Sequence, residues 1–141
     1  MIPAHITLED VNRHIPNTLM ETLGIRYSSV GTDHLSATMN VSPATHQPMG
    51  ILHGGASMAL AETVASAASF LIIDSTTQAV VGLELNANHV RSKSTGVITG
   101  TARAIHIGSR THIWEVRIED EEGRLISIAR MTNMVLSKTN G

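Results

Sequence analysis

An α+β fold, with an antiparallel sheet wrapped on one long helix, is what the sequence predicts, and three observations lead to it. Residues 56–73 are nearly all small or apolar, over a length that suits a helix. Leu35, Ala37, Met39 and Val41 alternate with Ser36, Thr38 and Asn40, the period-2 signature of a half-buried strand. Four further strand-like segments, separated only by turn-like sequence, close the chain.

Taken in order, Thr7-Leu8-Glu9-Asp10 opens a short helix: Thr7 can cap it, acids fill the first turn, and it should end near Pro16-Asn17. Strand-like sequence begins at Leu23. A loop over 42–52 carries Pro43, Pro48 and Gly50. The long helix is expected over about 55–73. It is apolar on most faces, so other structure should wrap it. Strands are expected over 79–90, 96–107, 110–120 and 124–137. In the third, His112, Trp114, Val116 and Ile118 face one way, while Ile113, Glu115, Arg117 and Glu119 face mostly water. In the first, Val81, Leu83, Leu85 and Ala87 should share a face, with His89 at its end.

The 141 residues favour a single domain over 1–141. Aromatic residues are only 2%, so the core must be aliphatic. A net charge of −2 with no long basic run argues against nucleic acid as the main partner. The absence of cysteine excludes thiol catalysis, disulfides and Cys-type zinc sites. The start, Met1-Ile2-Pro3-Ala4-His5, lacks the pattern of a signal peptide, and a cytoplasmic location is expected. Glu62, Thr63 and several serines within the long apolar stretch fit a buried helix better than a bilayer span.

The chemistry concentrates in Gln47-Pro48-Met49-Gly50-Ile51-Leu52-His53-Gly54-Gly55-Ala56-Ser57, followed by Leu60-Ala61-Glu62-Thr63 and Ser66. Glu62 is a carboxylate inside an otherwise apolar helix, where an unpartnered charge is expensive; it is either catalytic or a structural partner of a distant cation. Gly54 and Gly55 stand where the helix begins. Free N–H groups there suit the negative charge that develops on an attacked carbonyl, and glycine lets a ligand approach the backbone. The same pair can merely relieve a tight loop. Ser66 follows Glu62 by four residues and shares its helix face, either as a hydroxyl for the carboxylate or a water, or as small-residue packing. Gln47 and His53 flank the loop as possible donors. Gly82 weakens its strand, which suggests that something passes close to its backbone, and a pantetheine arm would fit. Arg91, Ser109 and Arg110 sit at strand ends, where they can meet phosphates or simply face solvent.

Rival chemistries fit less well. Gly55-Ala56-Ser57-Met58-Ala59 fails the nucleophile-elbow pattern at its last position. The eight histidines form no metal-binding spacing. No second carboxylate near Glu62 completes a glycosidase-like pair.

Leu52-His53-Gly54-Gly55-Ala56, Leu60-Ala61-Glu62-Thr63, Val80-Val81-Gly82-Leu83-Glu84 and Asn86-Ala87-Asn88-His89-Val90-Arg91 together resemble the hotdog-fold thioesterases. The branch they resemble is the 4-hydroxybenzoyl-CoA thioesterase type that includes the 1,4-dihydroxy-2-naphthoyl-CoA and enterobactin-proofreading enzymes. The similarity runs through Gly108-Ser109-Arg110 and Trp114, and its specific part is the helix block. The resemblance implies hydrolysis of an acyl-CoA thioester with an aromatic or bulky acyl group. Glu62 matches the catalytic carboxylate, as base or nucleophile. Gly54 matches the N–H that polarises the carbonyl, Gln47 and His53 the loop that positions the thioester, and Ser66 the hydroxyl near the attacking water. His89, Arg91, Ser109 and Arg110 fall where the family meets substrate or CoA, and Gly55 and Gly82 join them as substrate or CoA candidates on the reading of the residues given above. No metal or cofactor is implied. The partners implied are acyl-CoA and further copies of the chain, as a homodimer and often a homotetramer. A hotdog dehydratase and a non-catalytic acyl-CoA binding protein are the alternatives.

Helix geometry adds one expectation. Gly54 and Glu62 are separated by roughly 12 Å along the helix axis, at ~1.5 Å per residue. A single chain's pair cannot easily act on one carbonyl, so the site should be shared between two chains.

Overall fold

The computed structural model describes residues 1–138. Two short helices, α1 (Leu8–Asn12) and α2 (Leu19–Leu23), precede strands β1 (Arg26–Val30) and β2 (His34–Val41). A 3-10 turn at Pro43–Thr45 leads into the long helix α3 (Gly54–Phe70). Strands β3 (Gln78–His89), β4 (Gly96–Ile107), β5 (Thr111–Glu119) and β6 (Leu125–Ser137) follow. They form one six-stranded sheet in the order β1-β2-β4-β5-β6-β3, antiparallel at every pairing. β1 and β3 are its edges.

Sequence decides these elements locally. Thr7 caps α1 through a capping box with Asp10, each side chain bonding the other's backbone N–H. α2 lies outside the sequence expectation. It starts after Thr18 and stops at Gly24, whose φ of 67° gives the left-handed C-cap that glycine adopts without strain. One short turn of helix is too brief for periodicity to register, so this segment reads as a lead-in to the strand. α3 ends at Phe70, short of Ile73, because the chain turns through Leu71 toward the 74–77 turn held by the Asp74 carboxylate.

α3 lies across one face of the sheet and packs against β2 to β6. Leu60, Ala61, Val64, Ala65 and Ala68 are fully buried against Leu35, Ala37, Ile98, Ala102, Val116 and Ile118. The alternation expected for β5 holds: His112, Trp114, Val116 and Ile118 are buried. Close approach explains the small residues. At Gly100, an added Cβ would sit 3.0 Å from Leu60 Cγ. The sheet covers only one side of α3, however. Glu62 and Phe70 are exposed in the single chain, so the helix is not wrapped all round as its composition suggested.

β3 departs from its expected pattern. Its register with β6 runs Gly82↔Asn133, then Glu84↔Thr132, leaving Leu83 as an extra residue. This bulge reverses the alternation. Leu85 and Ala87 pack on the core, whereas Val81 and Leu83 are 42% and 52% exposed, so the four do not share a face.

Candidate active site

The loop before α3 is a tight hairpin. The Gln47 carbonyl accepts from Gly50 N–H at 2.9 Å, with Pro48 and Met49 at the turn and Gly50 at φ 75°. Gln47 Oε1 accepts from Met49 N–H, which turns the side chain's NH₂ group away from the turn. His53 is the N-cap of α3, and its Nδ1 accepts from Gly55 N–H at 2.7 Å. That bond assigns the neutral ring its proton on Nε2. It also uses the Gly55 donor, while Gly54 N–H has no acceptor among the described residues. Of the two glycines, Gly54 therefore keeps the free donor, and Gly55 makes room for the His53 ring, 3.0 Å from an added Cβ.

His89 completes this end. Its Nδ1 is 2.7 Å from Ser127 Oγ, and its Nε2 lies 2.7 Å from where a Cβ on Gly54 would be. Only glycine fits beneath that ring. Gln47, Gly54, His89 and Arg91 line one pocket of about 340 Å³. The adjoining loop is pinned by Lys93, whose carbonyl accepts from Leu52 N–H at 2.8 Å. Its ammonium donates to Glu121 at 2.6 Å. The Lys93 contact, together with Val97 N–H, pulls the Glu121 carboxyl down to about 2.

Glu62 lies in a different groove. That groove, of about 540 Å³, is walled by Leu19 and Met20 of α2 and floored by Tyr27 and Ser66. It continues along α3, through Ser66, Ala67 and Tyr27, into a second open groove of about 660 Å³ reaching Phe70 and α1. The Tyr27 phenol, buried below, is pushed up to about 12 by desolvation and stays protonated.

Within the chain itself, what passes close to Gly82 is Glu62 and Met131. A Cβ there would meet Met131 Cε at 2.7 Å and Glu62 Oε1 at 3.0 Å. The glycine makes room for the carboxylate itself. Ser66 likewise does not bond Glu62; its Oγ donates to Asn133 Oδ1 at 3.4 Å.

The expected residues thus divide into groups. Gln47, His53, Gly54, Gly55, His89 and Arg91 gather at the start of α3, while Glu62, Ser66 and Gly82 gather along its open side. Ser109 and Arg110 join neither group. They form the β4–β5 turn, beside Ile107 and Thr111, at the opposite end of the sheet from His89 and Arg91. Alternate strand ends cannot meet within one antiparallel sheet. Sequence reasoning missed Ser127 and Asn133. Both sit at inward positions of β6, in phase with Ala129 and Met131, where a polar residue is a signal.

Residues 49–127 match the family model described as the Thioesterase superfamily. The chain belongs to the thioesterase superfamily. This thioesterase is 46% identical to the 1,4-dihydroxy-2-naphthoyl-CoA hydrolase of Escherichia coli, over 93% of its length and 96% of the relative's. It is also 46% identical to the proofreading thioesterase EntH of Cronobacter turicensis, over 94% of its length and 96% of the relative's. The crystal structure of a mutant of thioesterase PA1618 from Pseudomonas aeruginosa superposes with a TM-score of 0.93 at 42% identity, covering 95% of this chain and 96% of that one. The hotdog architecture read from the sequence is the architecture of the structure. Among the described residues, no helix is long and apolar enough to cross a membrane.

Proposed function

We propose that this thioesterase hydrolyses an acyl-CoA carrying an aromatic or similarly bulky acyl group, in a cytoplasmic setting, without a metal or cofactor. The observation that carries the reading is the pairing of a free Gly54 N–H at the start of α3 with an exposed Glu62 carboxylate two turns along it. Gly54 N–H polarises the thioester carbonyl, and Glu62 activates water or attacks the carbon. The CoA thiol is a good leaving group, so the site needs no strong general acid.

The acyl group lies in the apolar groove that runs from Glu62 along α3, which is large enough for a ring system. The E. coli relative's name, an aryl-CoA hydrolase, supports the same substrate class. Arg91, beside Gln47 at the pocket mouth, takes the phosphates.

Two chains pair through the long β3 edge, where Val81 and Leu83 stand exposed, and the dimers pair again into a tetramer. In the dimer, Gly54 of one protomer meets Glu62 of its partner. Release of thiol, followed with a thiol reagent over aryl-CoA, short and long aliphatic acyl-CoA, and aryl-carrier-protein thioesters, tests the reading. Fastest turnover of the aryl-CoA set supports it; no preference for aryl over aliphatic CoA overturns the acyl assignment.

A further inference from the structure

Asn133 is fully buried on β6, and every hydrogen bond its side chain makes reaches α3. Its Nδ2 hydrogens go to the Ala65 carbonyl at 3.1 Å and to Ser69 Oγ at 2.9 Å. Ser69 Oγ also accepts from Trp114 Nε1 at 2.8 Å. Both amide hydrogens are therefore used. Turning the carboxamide over would set its oxygen against the Ala65 carbonyl, acceptor against acceptor. The amide is locked with Oδ1 toward Ser66.

A serine hydroxyl has one hydrogen. With that hydrogen donated inward to Asn133 Oδ1 at 3.4 Å, Ser66 presents only lone pairs to the groove it shares with Glu62. The register adds a second link. Asn133 is the cross-strand partner of Gly82, and Gly82 is the residue whose missing side chain admits Glu62 Oε1.

We propose that Asn133 is a positioning residue that turns the Ser66 hydroxyl inward, so that Ser66 and Glu62 form a pair of acceptors gripping the attacking water by both its hydrogens. The proposal rests on the reading that Glu62 acts at a thioester. A water held this way keeps its lone pairs for the carbonyl carbon. As its oxygen bonds to that carbon, one proton passes to Glu62 and the other stays directed at Ser66. The C–S bond then breaks, the thiolate departs, and the proton on Glu62 returns to it or to solvent. Acid and thiol are the products.

The test is a cycle of four proteins assayed on benzoyl-CoA: the parent, Ser66→Ala, Asn133→Leu and the double variant. Leucine is close to asparagine in volume and leaves no buried amide unpaired. Asn133→Leu should lower kcat roughly tenfold, the scale of one hydrogen bond in the transition state, with KM within about twofold. In the Ser66→Ala background the same change should cost nothing further, because the residue it acts through is gone. A purely structural Asn133 would lower activity equally in both backgrounds. Unchanged kcat in Asn133→Leu, or a loss that persists without the Ser66 hydroxyl, overturns the proposal. If Asn133→Leu does not fold, Ser69→Ala replaces it in the same cycle; Ser69 is buried and never reaches the groove. Glu62→Gln run alongside separates the two failures: full turnover there sinks the reading of Glu62, whereas lost turnover with an uncoupled Asn133 sinks this proposal alone.

Discussion

A methyl group on Gly82 would press on Glu62 Oε1 at 3.0 Å and on the terminal methyl of the unbranched Met131 side chain at 2.7 Å. The Met131 end can move aside, but the carboxylate would be pushed off its position. Gly82→Ala should therefore lower kcat by on the order of tenfold or more while the melting temperature changes little, since misplacing a reacting group is far costlier to rate than to stability. Parallel kinetics and thermal melts check this; an unchanged kcat would show that the carboxylate position over Gly82 is immaterial. Replacing the carboxylate outright, by Glu62→Gln, should keep the fold and lose about 10²–10⁴-fold in turnover. Near-full activity in a folded variant would make Glu62 structural. Arg91→Ala should raise KM for acyl-CoA with little effect on kcat, and leave an acyl-pantetheine lacking the nucleotide unaffected. Equal damage with both substrates would exclude a phosphate role.

At the scale of elements, β5 carries an acid-sensitive point. His112 is buried on its inward face, and its Nδ1 has no hydrogen-bond partner among the described residues. Burial holds its pKa below the ordinary 6.5, outweighing a backbone bond at Gly108; the nearby N-terminus and His106 push the same way. The folded chain thus binds this proton less readily than the unfolded chain does. The contribution is complete above about 6.5 and is lost as pH falls toward the depressed folded value. Melting temperature should drop between pH 7 and 5, and His112→Phe should flatten that slope. A slope unaltered by the substitution would place the acid sensitivity elsewhere. The inward and outward phases of β2 and β5 were legible because regular alternation survives intact there. β3 was misread because a bulge leaves no mark in composition. α2 was missed because a helix of 5 residues has no periodicity to detect.

At the scale of the whole molecule, one chain holds Gly54 and Glu62 in two separate grooves. The helix block was readable because glycine pairs and a lone acid stand out against aliphatic sequence. Which residues meet was not readable. Ser66–Asn133 and His89–Ser127 are contacts across 67 and 38 positions, the first set by the packing of α3 on the sheet and the second by the register of β3 with β6. The separation of Gly54 from Glu62 leads to a complementation experiment. Glu62→Ala and Gln47→Ala chains should each be inactive. After subunit exchange each mixed dimer should hold one intact site, with up to about half the normal activity. No recovery after verified exchange would place Gln47 and Glu62 in one chain's site.

The extra residue at Leu83 has a consequence of parity. In a regular strand, Gly82 and His89 are an odd number of positions apart and point to opposite faces. One of them would look away from α3. The inserted residue shifts the phase once, so both look inward: Gly82 beneath Glu62, and His89 over Gly54. A single strand thereby serves the carboxylate end of one groove and the donor end of the other. Deleting one residue there would restore perfect pairing with β6 and, by the same step, turn one of those two ends toward solvent.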